Sequence, residues 1–229
     1  MTPPMIEVRD LHYRYDDGTV ALRGIDFRLD AGENVALLGA NGSGKTTFVL
    51  HLNGLLSGQG TVRVCGQRVD RNSAALARRK IGMVFQDSDS QLFMPSVIED
   101  VAFGPLNAGA TPLEASERAL AALERVGMEA AASRAPYHLS AGEKKRVAIA
   151  GVLAMEPEIL VLDEPTTFLD PPARRGLETL LATLPQAKIV VTHDLRFAGA
   201  LCSRAAFFDA GKIVAEGAVQ DLIRRFQWD

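Results

Sequence analysis

Hydrophobic residues change their spacing along this chain, and each change marks a different kind of element. Near the start, Ile6 and Val8 and then Ile25, Phe27 and Leu29 alternate with polar residues, with Asp16-Asp17-Gly18 between them as a turn. Alternation puts every second side chain on one face of a pleated strand, so this stretch predicts antiparallel strands with one buried face. From Asn34 onward short unbroken apolar runs take over: Val35–Leu38, Ile81–Phe85, Ile159–Leu162 and Ile189–Val191. A strand covered on both faces has no polar side to show, and the helical stretches between such runs are the crossovers that a parallel sheet requires. Residues 88–156 are mainly helical in pattern. There Thr111 and Glu114 form a capping box around Pro112 at the first helical position, and Leu113, Leu120, Leu123 and Val126 are the expected buried stripe. The tail returns to strands at Ala206–Phe208 and Ile213–Ala215 and ends in a short helix.

The pattern therefore predicts one α/β domain over residues 1–229. Residues 1–87 and 157–229 form a core with a parallel sheet and an N-terminal antiparallel β subdomain, and residues 88–156 form an inserted α-helical subdomain. No internal repeat or low-complexity tract breaks the chain.

Composition narrows the function classes. The 229 residues are 47% hydrophobic and 23% charged, enough to bury a sizeable core. The net charge of −3 argues against nucleic acid as the main ligand. The longest uncharged apolar stretch, Val147–Met155, is about half of what a membrane span needs. The start, Met1-Thr2-Pro3-Pro4, lacks the basic-then-apolar order of a signal peptide. Cys65 and Cys202 lie far apart with no metal-ligand spacing, which fits a reduced, cytosol-facing protein.

The candidate chemistry sits where the apolar runs end. After Val35–Leu38 comes Gly39-Ala40-Asn41-Gly42-Ser43-Gly44-Lys45-Thr46-Thr47, a full match to G-x-x-x-x-G-K-[ST] between a strand and a helix. Glycines let backbone N–H groups turn inward and cradle phosphates at a helix N-terminus. Lys45 would reach the β- and γ-phosphates, and the Thr46 hydroxyl would ligate Mg²⁺. The other runs end at Gln86, at Asp163-Glu164 and, one residue on, at His193. Ligands of an open parallel sheet bind outside the carboxyl ends of its strands, so these loops are expected to converge on one site. Phosphoryl transfer calls for positioning and charge neutralisation, which assigns Asp163 to Mg²⁺ and Glu164 to the attacking water.

A further segment, Leu139-Ser140-Ala141-Gly142-Glu143-Lys144-Lys145-Arg146, reads as a capped helix start, with Ser140 and Glu143 as the capping box. It also resembles the LSGGQ signature of ATP-binding cassette (ABC) ATPases, and it lies upstream of a Walker B-like Ile159–Glu164. The remaining motifs are similar in order over residues 5–222: Tyr15 as the adenine-stacking residue, Gln86 as the Q-loop, Leu169-Asp170 as the D-loop and His193 as the switch histidine. The resemblance implies a P-loop NTPase (RecA-like) core, ATP and Mg²⁺ as cofactors, and two subunits paired head to tail with ATP at the interface. It implies catalytic roles for Glu164, His193, Gln86 and Lys45, with Thr46, Gln86 and Asp163 around the metal. Across the interface it places Ser140 and Gly142 on the γ-phosphate, with Asp170 linking the two sites. Tyr13, on the same alternating face, competes with Tyr15 for the adenine. Ala141 and Glu143 depart from the family's Gly and Gln. The extra methyl of Ala141 is expected to loosen the closed dimer slightly, and Glu143 to keep capping the helix.

Within that family, Val84–Phe93, Leu52–Leu56 and Glu143–Met155 are similar to the energy-coupling factor (ECF) importers. Those importers pair the ATPase with a transmembrane coupling protein and a substrate-capturing membrane protein, which implies a peripheral position on the cytoplasmic face of the inner membrane. Thr167-Phe168-Leu169-Asp170-Pro171 resembles the cobalt and nickel branch more than the vitamin branch. Biotin or another vitamin stays open as cargo, and so does a paralogue as the second subunit. Residues 86–97, with Leu92, Phe93 and Met94, are the expected docking groove for a helix of the membrane partner. A soluble ABC-type ATPase is the competing class, but no basic face, tandem cassette or coiled-coil insertion is visible. A P-loop kinase leaves Leu139–Glu143 unexplained. The stretch after His193 is expected to be too short for an additional C-terminal domain.

Overall fold

The computed structural model describes residues 3–226. The ends of the expected 1–229 domain, and Met1-Thr2 of the start read as lacking a signal peptide, lie outside them. In chain order the elements are β1 (Ile6–Arg14), β2 (Val20–Leu29), β3 (Asn34–Leu38), α1 (Lys45–Leu52), β4 (Gln59–Val64), β5 (Gln67–Arg68), α2 (Ala74–Lys80) and β6 (Ile81–Val84). Then come α3 (Val97–Asn107), α4 (Pro112–Arg125), α5 (Ala141–Leu153), β7 (Ile159–Asp163), α6 (Pro171–Thr183) and β8 (Ala187–Val191). The chain closes with α7 (Leu195–Leu201), β9 (Arg204–Asp209), β10 (Lys212–Ala218) and α8 (Val219–Phe226). They fall into two units, one of Met1–Ile81, Glu158–Glu164 and Pro185–Asp229, the other of Gly82–Pro157 and Pro165–Leu184.

The first unit holds an antiparallel sheet in the order β2-β1-β4-β5, with Ile6 opposite both Leu29 and Val64. Its other strands run in the order β10-β9-β3-β8-β7. β3 pairs in parallel with β8 and β9, and β7 with β8. The expected parallel sheet and antiparallel subdomain are both present. The continuous apolar runs are buried because strands lie on both sides of them and neighbours cover both faces; Val35, Ile159, Leu160, Val161 and Ile189 are fully buried. Each such side chain contributes about 1.5–3 kcal/mol through burial. Phe48 on α1 locks that helix to the sheets, its ring centroid 5.3 Å from Phe27 and 5.4 Å from Phe208. Register matters most for the site. Val191 lies opposite both Leu37 and Asp163, so β3, β7 and β8 end level and release their loops side by side.

The second unit is mainly helical. α4 carries the expected capping box, with Thr111 accepting from the Glu114 N–H at 3.3 Å and Glu114 accepting from the Thr111 N–H at 2.8 Å. Its buried stripe differs from the expected one. Leu123 and Val126 are buried, but Leu113 is 70% and Leu120 47% exposed, and Ala115, Ala119 and Ala122 take their place. At about 100° per residue the two leucines point some 130–155° away from the alanine stripe. Small side chains let α4 lie close to α3 and α5, and apolar periodicity that treats alanine as neutral selects the wrong face. Sequence patterning also left β4, β5 and α2 unassigned, since residues 59–80 mix polar and apolar positions without a sustained period.

Candidate active site

The glycine-rich loop leaves β3 at Gly39, whose φ of 141° no side chain adopts readily. A Cβ there would stand 2.2 Å from the Phe208 carbonyl, so β9 leaves room for glycine alone. The loop ends at Gly44, the left-handed N-cap of α1, which offers the helix no side-chain acceptor. The amides of that first turn are thus left for an anion, as a phosphate site needs. Lys45 is buried, and its ammonium donates to the carbonyls of Gly39 at 2.6 Å and Ala40 at 2.9 Å and approaches Ser43 Oγ at 3.5 Å. Burial pushes the Lys45 ammonium down from its ordinary value, and the carboxylates of Glu164 and Asp163 push it back up. The side chain is folded over its own loop, where a phosphate oxygen would replace the carbonyls.

Asp163 closes β7, and the Thr46 hydroxyl donates to its Oδ2 at 3.3 Å. A carboxylate and a hydroxyl at that distance suit a hard dication with oxygen ligands, so the residues fit Mg²⁺. Glu164 turns out of the strand with a φ of 44°, its N–H donating to the Val191 carbonyl at 2.8 Å. The side chain is almost covered at 11% exposure, whereas that of His193 is 68% exposed. Glu164 Oε2 lies 2.8 Å from His193 Nδ1 and accepts from the His193 N–H at 3.4 Å. The first unit therefore brings Lys45 and Thr46, at the start of α1, together with Asp163 at the end of β7 and with Glu164 and His193 one and two residues past the level ends of β7 and β8.

Tyr15 follows the end of β1, is 37% exposed and has its hydroxyl 2.9 Å from Thr47 Oγ1. Tyr13 stays within the strand and packs edge-on against the buried His51 at 4.7 Å, while the two tyrosine rings meet edge-on at 4.9 Å. The tyrosine that reaches the phosphate loop is Tyr15.

Gln86, Ser140, Gly142 and Asp170 belong to the second unit. Gln86 is exposed just after β6. Ser140 caps α5, accepting from the Glu143 N–H at 3.3 Å, while Glu143 Oε2 accepts from the Ser140 N–H at 2.8 Å. Those bonds hold the Glu143 carboxyl below its ordinary range, and Arg134 adds an ion pair at 3.1 Å. Glu143 thus caps the helix as the family's Gln would, with a charge added. Ala141 is exposed. A Cβ on Gly142 would stand 3.0 Å from Ala173 Cβ, so the missing side chain allows α6 to approach the start of α5. Asp170 is exposed and caps α6 through the Ala173 N–H at 2.8 Å.

Sequence reasoning missed the groups that hold the segment around Gln86. Gln91 Oε1 accepts from the Phe85 N–H at 2.9 Å, and its Nε2 donates to the Met83 carbonyl at 3.3 Å. Asp100, on α3, accepts from the N–H groups of Phe93 at 2.9 Å and Met94 at 3.0 Å. Lys145 donates to the carbonyls of Phe85 and Gln86 at 3.1 and 2.8 Å. The one available signal was Lys145 itself, a charge next to the apolar run of α5.

Residues 22–167 match the ABC transporter family. The energy-coupling factor transporter ATP-binding protein of Methanothermobacter thermautotrophicus is 50% identical over 226 residues, covering 96% of this chain and 73% of that protein. CbiO1 from Clostridium perfringens, part of the CbiONQ ABC transporter complex, shares the fold at a TM-score of 0.88 and 38% identity, over 98% of this chain and 92% of its own. A dimeric ATP-binding cassette in a post-hydrolysis state with ADP and Pi aligns at a TM-score of 0.83 and 29% identity, over 94% of this chain and 99% of its own. With a phosphate cradle, paired carboxylates and a signature helix in the family's order, the chain belongs to the ATP-binding cassette family and is an ABC-type ATPase of transporters.

Proposed function

We propose that this chain is the ATPase subunit of an energy-coupling factor importer, working as a pair of identical copies that close on two ATP molecules, with Co²⁺ or Ni²⁺ as the imported cargo. The observation that carries this reading is the likeness, over nearly the whole chain, to a subunit of a CbiONQ complex. The cargo follows from the resemblance of Thr167–Pro171 to the cobalt and nickel branch.

The chemistry assigned to the residues is direct. Gly39–Thr47 cradles the phosphates, and Lys45 transfers its donors from the Gly39 and Ala40 carbonyls to phosphate oxygens. Thr46 and Asp163, with Gln86, would hold Mg²⁺, which neutralises charge on the transferring phosphoryl group when bound. Glu164 takes the proton of the attacking water, and His193 at 2.8 Å fixes the carboxylate. Tyr15 stacks on adenine. Ser140 and Gly142 serve the γ-phosphate held by the other copy, and Asp170 links the two sites.

The membrane partners are a transmembrane coupling protein and a substrate-capturing subunit, and the chain sits peripherally on the cytoplasmic face of the inner membrane; nucleic acid is no partner. Among the described residues no helix is long and apolar enough to cross a membrane. Phe93, 61% exposed and edge-on to Phe103 at 4.9 Å, is the proposed docking contact. Uptake of labelled Co²⁺, Ni²⁺ and biotin, by cells carrying the chain with its membrane subunits, tests the reading. Co²⁺ or Ni²⁺ uptake that depends on Glu164 supports it; biotin uptake alone moves the chain to the vitamin branch. Phe93→Asp is expected to abolish uptake and leave basal ATPase intact. Unimpaired uptake in that variant rejects the docking assignment.

A further inference from the structure

The second unit contains a buried charge that the proposed chemistry does not use. Lys145 is 2% exposed, five residues past Ser140, with its ammonium on the carbonyls of Phe85 and Gln86 at 3.1 and 2.8 Å. Its neighbours on α5, Val147, Ala148 and Ile149, are buried apolar residues. A buried ammonium has to be held by polar partners, and the carbonyls of Phe85 and Gln86 are two that hold this one. Bonds to two successive carbonyls fix the two peptide units on either side of the Gln86 Cα, from which its side chain departs.

The rest of the segment is held as well. Gln91 ties its start to its own turn, and Asp100 holds the amides of Phe93 and Met94. Lys144, next to Lys145, pairs with Asp89 at 2.6 Å. Lys145 joins the carbonyls at Gln86 to the helix that begins at the signature Ser140, and it does so from a buried position.

We propose that Lys145 is a positioning residue for ATP hydrolysis: its buried ammonium ties the start of the signature helix to the main chain at Gln86, so that the two are set together. A shift of α5 as the signature engages a nucleotide is then passed directly to the Gln86 segment. The proposal rests on the part assigned to Gln86 in binding Mg²⁺, not on the identity of the cargo.

Steady-state ATPase of the full chain, with kcat and KM measured separately, tests it. Lys145→Met keeps the stem and volume but removes the donors. It is expected to lower kcat about tenfold to a hundredfold, as a small misplacement of a reacting group does, while KM for ATP moves less than about twofold. Lys145→Gln, which keeps an N–H donor, should recover part of kcat. Lys144→Met, which removes only the pair with Asp89, should change kcat less than about twofold. Amide hydrogen exchange gives a second readout that does not depend on turnover: Lys145→Met or Lys145→Gln should speed exchange at residues 86–92 more than at 93–101, which Asp100 still holds. If Gln86→Ala lowers kcat while Lys145→Met leaves both kcat and exchange unchanged, the inference is overturned. If Gln86→Ala itself leaves kcat unchanged, the part assigned to Gln86 fails first and takes the inference with it.

Discussion

The loop after β3 and the loop after β6 both follow a buried strand and both carry residues proposed to meet the nucleotide, yet they are held by different means. Gly39–Thr47 is shaped by its own backbone: left-handed glycines, an uncapped helix start, and a lysine folded onto the carbonyls of its own loop. Neighbouring strands finish level with it and bring Asp163, Glu164 and His193 alongside. The segment from Gln86 to Met94 has a short turn of its own, with Asp87 accepting from the Asp89 N–H and the Ser90 hydroxyl, but it relies on outside help as well. Side chains from elsewhere grip its main chain, Lys145 from α5 and Asp100 from α3, with Gln91 as an internal strap. The first arrangement suits groups that must be preorganised around developing charge. The second suits a segment that must shift with its supports.

The sharpest way to break the contrast is to disable the preorganised half. Glu164→Gln should leave ATP binding in place and lower kcat about a thousandfold, within the range of a lost general base. A phosphate-release assay with near wild-type turnover would remove Glu164 from that role. Lys45→Ala is next. Loss of its charge-assisted bonds to phosphate should weaken ATP binding about a hundredfold, measured by calorimetry. An unchanged affinity would mean that the backbone cradle alone binds the nucleotide.

The smallest effect concerns the signature helix. The Ser140 bonds hold the Glu143 carboxyl below its ordinary range, so the carboxylate form is the one favoured by folding. Its contribution is then present above the unfolded-state pKa and fades as pH falls through the lower folded value. Because the group is a third exposed, that contribution stays below about 1 kcal/mol. Glu143→Gln keeps the cap but cannot titrate. Thermal melts of the two proteins should differ by about a degree or two near neutral pH, and the gap should close on acidification through the carboxylate range, below about pH 4.5. A gap that widens on acidification would reverse the sign and contradict the capping geometry.

Much of this could be read from sequence because the residues concerned act locally. A phosphate loop is a run of consecutive backbone amides, so its glycines and Lys45 must be consecutive in sequence. A capping box spans four residues, which is why Thr111–Glu114 and Ser140–Glu143 are legible. A strand buried on both faces has to be an unbroken apolar run. The tertiary structure alone decided what depends on a partner distant in sequence. It turned α4 onto its alanines and left Leu113 and Leu120 outside, because close helix packing rewards small side chains as well as large ones. It separated Tyr15, which reaches Thr47, from Tyr13, which packs on His51. It also made Lys145 a buried tether, because its acceptors are carbonyls that every residue possesses, and no side-chain pattern records which of them the fold delivers to a lysine some sixty residues away.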